Sequence, residues 1–156
     1  MNKITQLITA VFFGCFCQTA FAKPSINNMQ SCQGLLDYLE IRLKDAPSDY
    51  PTDKVNRVRE ALNQYNKYIQ KEIVSPGLLQ FNAGDANKAN AMQLKVDDYK
   101  ETLVKSYTSR FNSPRLVTDF AISVNNCAKE AVPSGSALEE LKYAINTLVE
   151  LAQLNP

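Results

Sequence analysis

The residue types that carry most enzyme chemistry are scarce in this chain. It has no histidine, so Ser-His and Cys-His nucleophiles, His-ligated zinc, Glu-x-x-His di-iron sites and histidine haem ligands are all out of reach. Carboxylate chemistry is what remains. Its tightest cluster is Asp97, Asp98 and Glu101. Asp97 and Glu101, four apart, share one helix face, the spacing of an acid pair or a weak calcium site. Lys95, Lys100 and Lys105 stand among them, which is the pattern of a solvated helix surface, and a working site draws its ligands from several elements. No Gly-x-Ser-x-Gly, Ser-x-x-Lys or phosphate-binding glycine loop is present, so no catalytic residue, metal ligand or cofactor is expected.

Sulfur is the other reactive element. Of four cysteines, Cys15 and Cys17 fall within residues 1–22, which read as a cleaved signal peptide. Lys3 supplies the positive start, residues 4–17 are mostly apolar, and Ala20-Phe21-Ala22 has the small-x-small form of a cleavage site. Gly14-Cys15 admits a lipidation reading, but Phe12-Phe13 lacks the leucine and small residue that usually precede such a cysteine. Cleavage leaves a single domain of residues 23–156 with two cysteines, Cys32 and Cys127. Oxidising compartments join such a pair as a disulfide. Two separately buried thiols are the alternative, and the lack of Cys-x-x-Cys disfavours a redox role. The expected location is the bacterial periplasm or the medium outside the cell.

Five segments show helical periodicity and must position everything above. The first covers residues 31–44, with Cys32, Leu35, Leu36, Leu39 and Leu43 on one face. The second opens at Thr52 and carries Val55, Val58, Leu62, Tyr65, Ile69 and Ile73 until Ser75-Pro76-Gly77 stops it. The third runs from about 85 to 111 along Ala89, Met92, Val96, Tyr99, Leu103 and Tyr107. The fourth starts from Ser113-Pro114 and ends near Cys127; the fifth starts from a capping box at Ser136 and Glu139. No alternating strand pattern is found. The fold class is therefore all-α: an antiparallel bundle of four main helices plus a C-terminal fifth, tied by one disulfide. If neighbours alternate in direction, the start of the first helix and the end of the fourth share one end of the bundle, where Cys32 and Cys127 can meet.

Charge excludes one class of partner. Without Lys3 of the leader, the remaining Lys and Arg equal the 16 Asp and Glu, and no basic run exists to release counterions from a nucleic acid. No segment after the leader approaches the roughly 20 apolar residues of a membrane span. Two features point instead to another protein. Tyr68 lies off the apolar stripe of its helix, and tyrosine serves well as an interface anchor. The stretch from Pro76 to Phe81, with Leu78, Leu79 and Phe81, reads as an apolar connection between the two long helices. Such side chains either plug the end of the bundle or meet a partner. The leading expectation, by elimination, is a non-enzymatic protein-binding factor of inhibitor, immunity or chaperone-like type. A carrier of an apolar small molecule within the bundle and an unrecognised enzyme follow it.

Overall fold

The computed structural model describes residues 24–154; the leader, its cleavage site and Gly14-Cys15 lie outside the described residues. The chain forms α1 (Ile26–Lys44), α2 (Thr52–Tyr68), a π-helical turn (Ile69–Val74), α3 (Ser75–Phe81), α4 (Ala86–Arg110), α5 (Thr118–Glu130) and α6 (Ser136–Gln153). Among the described residues there is no strand. Because the backbone stays helical through the π turn, α2 and α3 form one rod, and the molecule is a five-rod antiparallel bundle. Successive rods reverse direction. The first and third rods run the same way, since Gly34 faces Leu103 and the Tyr38 ring lies 5.3 Å from that of Tyr107.

Most of the core gathers on α1, which packs against α2, the π turn, α4 and α5. Met29, Leu36, Tyr38, Leu39 and Leu43 are fully buried there, against Val58, Leu62 and Ile69 of the second rod and Phe120 and Val124 of α5. Helix α6 closes the other side of α2. Its Leu141, Ala144, Leu148 and Leu151 are buried, and Arg57 of α2 pairs with Glu140 while lying 3.8 Å over the Tyr143 ring. The Cys32–Cys127 disulfide joins α1 to the end of α5 across 95 residues of sequence.

Four boundaries differ from the sequence reading, each for a local reason. Helix α1 starts at Ile26, five residues early, because its first turn has something to cover: Ile26 lies so close to Gly77 of α3 that a Cβ there would meet its Cδ1 at 2.8 Å. Ser75-Pro76-Gly77 does not stop the second rod. The Ser75 N–H donates to Gln70 O, five residues back, and this wider π turn takes up the misfit that a proline ring makes with the preceding turn. Ser113-Pro114 does not open α5. That segment bends instead, with Leu116 N–H donating to the Tyr50 hydroxyl at 3.1 Å and Arg115 paired with Asp49, and α5 begins at Thr118. In α6 Gly135, at φ +59°, takes the capping position instead of Ser136; Glu139 pairs with Lys142, so no capping box forms.

Close approach of α1 and α4 depends on Gly34, where a Cβ would lie 3.0 Å from the Cβ of Leu103. That neighbour atom is fixed by the backbone and cannot swing aside. Gly34→Ala should therefore destabilise the fold by about 1–3 kcal/mol, as overpacking does, although alanine is the better helix former. Urea unfolding checks this, and equal or greater stability would contradict the close contact. Reduction of the disulfide should cost up to about 4–5 kcal/mol, because the cross-link closes a long loop of the unfolded chain. An unfolding midpoint that does not move with reductant would contradict that.

Candidate functional site

The apolar stretch of residues 76–81 is helical, and its three large side chains separate by angle around α3. Leu78 points inward and is 3% exposed, whereas Leu79 is 42% and Phe81 71% exposed. Phe81 forms the rim of a groove of about 300 Å³ whose other walls are Pro24, Ile26, Ile73, Gly77 and Gln80. The end of α3 is fixed from behind. Asn82 caps it by donating from its side chain to Leu78 O at 2.8 Å, and Ala83 and Gly84 take positive φ to turn the chain into α4. Asp85 then accepts from Lys88 N–H at the start of that helix. Sequence periodicity could not have found Pro24, Ile26 or Gly77, because it placed Pro24 and Ile26 outside any helix and read Gly77 as a break.

Tyr68 is not part of this groove. It is half-buried, stacks on Tyr65 with centroids 6.2 Å apart, and donates to Val132 O at 2.9 Å. Tyr65 donates in parallel to Ala131 O at 3.0 Å, and burial pushes its hydroxyl well above the ordinary tyrosine range, helped by nearby Tyr68 and Glu130. The pair fastens the second rod to the α5–α6 connection. Phe81 lies thirteen residues further on, roughly 20 Å along a helix. The structure thus exposes Leu79 and Phe81 on different faces of α3, only Phe81 at the groove, sends Leu78 into the core, and leaves Tyr68 elsewhere.

A second groove, of about 420 Å³, runs between α1 and α4. Its apolar walls are Ile41 and Val104, and its polar groups are Asp37, Asp97, Glu101, Lys100 and Lys105. The carboxylate pair seen in the sequence lies here, but each member has a cation of its own: Lys100 sits 2.9 Å from Asp97 and Lys105 3.9 Å from Glu101. No cluster able to hold a metal ion is found among the described residues. Asp37 has no ion-pair partner there. It accepts from the Asn66 amide at 2.6 Å. Burial raises its carboxyl above the ordinary range, opposed by the charge of Lys100 and the Asn66 hydrogen bond and assisted by Asp97.

Behind this groove a chain of side-chain amides crosses the bundle. Gln33, 2% exposed, donates to Gln70 of the π turn at 3.1 Å. Gln70 donates to Gln93 of α4 at 2.9 Å, and Gln93 to Asp97 at 3.0 Å. Asp97 is thereby held on the α1–α4 seam, whereas Glu101, with its side chain 73% exposed, stands on open surface.

Compared with known proteins, the chain matches no protein-family model, no curated protein and no solved structure. Among the described residues no helix is long and apolar enough to cross a membrane. The disulfide is the covalent chemistry of an oxidising, extracytoplasmic compartment.

The raised carboxyl of Asp37 has a stability consequence of definite sign. A folded state that holds this proton more tightly than the unfolded chain gains stability below the ordinary carboxylate range, of about 4, and loses it as pH rises through the folded value. Asp37→Asn removes that loss. The stability of the variant relative to the parent should rise as pH increases from about 4 toward neutrality; a difference independent of pH, measured by urea unfolding, would contradict the desolvated setting of Asp37.

Proposed function

We propose that the mature chain is an exported, non-enzymatic protein-binding factor of the bacterial periplasm or exterior, of inhibitor, immunity or chaperone-like type, and that it meets its partner through the exposed surface of α3. The observation that carries this reading is Phe81, an aromatic side chain 71% exposed at the rim of an apolar groove. Leaving such area in water forgoes roughly 25 cal/mol per Å² of burial, and interfaces draw most of their energy from a few aromatic anchors of this kind. The platform under Phe81 is preformed by the buried Leu78, the close Gly77–Ile26 contact and the Asn82 cap. Preformed surfaces lose little freedom on binding. The disulfide supports export, and the even balance of charge supports a protein partner over a nucleic acid.

The test sets Phe81 against its buried neighbour. Phe81→Ser should leave the unfolding free energy within about 0.5 kcal/mol of the parent and weaken a partner captured by cross-linking in native extract by at least about tenfold. Leu78→Ala should cost about 2–5 kcal/mol of stability. Capture of the same partner by Phe81→Ser at undiminished affinity would remove α3 as the interface.

A further inference from the structure

Asp37 is out of place among the carboxylates of this fold. Glu40, Asp85, Asp97 and Glu140, the other half-buried ones, each have a lysine or arginine at 3.4 Å or less. Asp37 is half-buried, with the Asn66 amide as its hydrogen-bond partner and no ion pair at contact distance among the described residues. The charge of Lys100, itself bonded to Asp97, offsets its lost hydration only in part. A carboxylate partly removed from water without a cation in contact is costly, and one in a cleft is a candidate binding group. Its groove is complementary to a single positive charge. Lys100 is engaged by Asp97 and Lys105 faces Glu101, so the pairs cancel and one negative charge remains, that of Asp37. Beside it stand aliphatic walls: Val104, and Ile41, which is 46% exposed one turn further along α1.

We infer that this groove receives the arginine side chain of a protein partner, with the guanidinium on Asp37 and the methylene stem along Ile41 and Val104. Arginine suits the site better than lysine, because its planar fork is weakly hydrated, gives up less solvation beside an aliphatic wall, and pairs with a carboxylate through two hydrogen bonds. The stem covers apolar surface as long basic side chains do. The inference rests on the protein-binding reading but concerns a different surface: Asp37 is eleven residues, roughly 16 Å, along α1 from Ile26 of the Phe81 groove. Binding is linked to pH through Asp37. The groups facing it are Lys100, Asp97, Glu101 and Lys105 of α4 and the Asn66 amide of α2, while Glu40 on its own helix is occupied by Arg59. Burial favours the protonated form, and a bound guanidinium requires the ionised one.

The experiment is a heteronuclear NMR titration of the disulfide-bonded mature protein with the capped peptide Leu-Arg-Leu and with its citrulline counterpart, which has the same shape and no charge. Amide shifts should centre on Asp37 and Ile41 of α1 and on residues 97–105 of α4. Affinity should fall at least about tenfold with citrulline, and as much with Asp37→Asn, and should decline as pH is lowered toward the titration of Asp37. Equal affinity for the citrulline peptide on the parent protein would overturn the inference whether or not the Asp37 variant folds. So would saturation without shifts at the groove. Free arginine binding as tightly as the peptide would assign the groove to a small guanidinium ligand and overturn the protein partner here, while the Phe81 surface, untouched by this probe, is judged on Phe81→Ser alone.

Discussion

The architecture hangs on the burial of α1 from several sides at once. A helix enclosed by α2, the π turn, α4 and α5 cannot keep one wet face for its polar residues, and ten of its 19 residues are buried, Gln30 and Gln33 among them. An amide in that position must find partners. The Gln33 Nε2 finds one in Gln70, whose backbone belongs to the π turn, so the irregularity in the second rod answers the donor half of the polar residue in the first, while the Gln33 Oε1 has no hydrogen-bond partner among the described residues. Tyr38 occupies the other end of the same seam. Its ring meets Tyr107, Phe111 and Phe120 at 5.3, 6.4 and 5.5 Å, and its hydroxyl accepts from Arg42 at 2.7 Å while donating toward Phe111 O. Three helices thus converge on one phenol.

What could be read from the sequence was whatever depends on a residue's near neighbours along the chain. Leu35, Leu39 and Leu43 announced the inner face of α1, Val58, Leu62 and Ile69 that of the second rod, and the two cysteines beyond residue 22 allowed a single pairing. What could not be read was whatever depends on a distant element. Pro76 counts as a helix stop until a π turn makes room for it. Ser113 and Ser136 have the chemistry of caps, but Tyr50 claims the backbone at Leu116 and Gly135 takes the capping place in α6. Tyr99 sits on the periodic stripe of α4 and is still 44% exposed, because that helix packs mainly on α1 and α3. Asp37 carried no signal at all: its setting is made by Asn66 and by α4, each far away in sequence.

Helix α4 is the thin side of the molecule. Of its 25 residues only Ala89 and Val96 are buried, whereas the shorter α6 buries six. Low burial means low local resistance to opening. The Asp37 groove borders this side, whereas the Phe81 groove lies between the start of α1 and the α3 end of the second rod. The seam that keeps α4 in place is narrow, made by Gly34 facing Leu103, the Tyr38–Tyr107 contact and the amide chain through Gln93.

The disulfide also divides the chain by load. Cys32 is near the beginning of the described residues and Cys127 precedes the whole of α6. Tension applied between the two ends passes from the first turns of α1 through the sulfur bridge to the end of α5, and the 95-residue span between the cysteines lies in parallel with that covalent short-cut. Such a span contributes no length when the ends are drawn apart; only the turns before Cys32 and the segment with α6 can pay out, at about 3.5 Å per residue. Asp37, Ile41, Leu79, Phe81 and Val104 all belong to the shielded span. As a mechanical object the described chain is a tether with a closed ring in its middle; the ring carries the whole Asp37 groove, whereas Pro24 and Ile26 of the Phe81 groove lie on the part that can pay out.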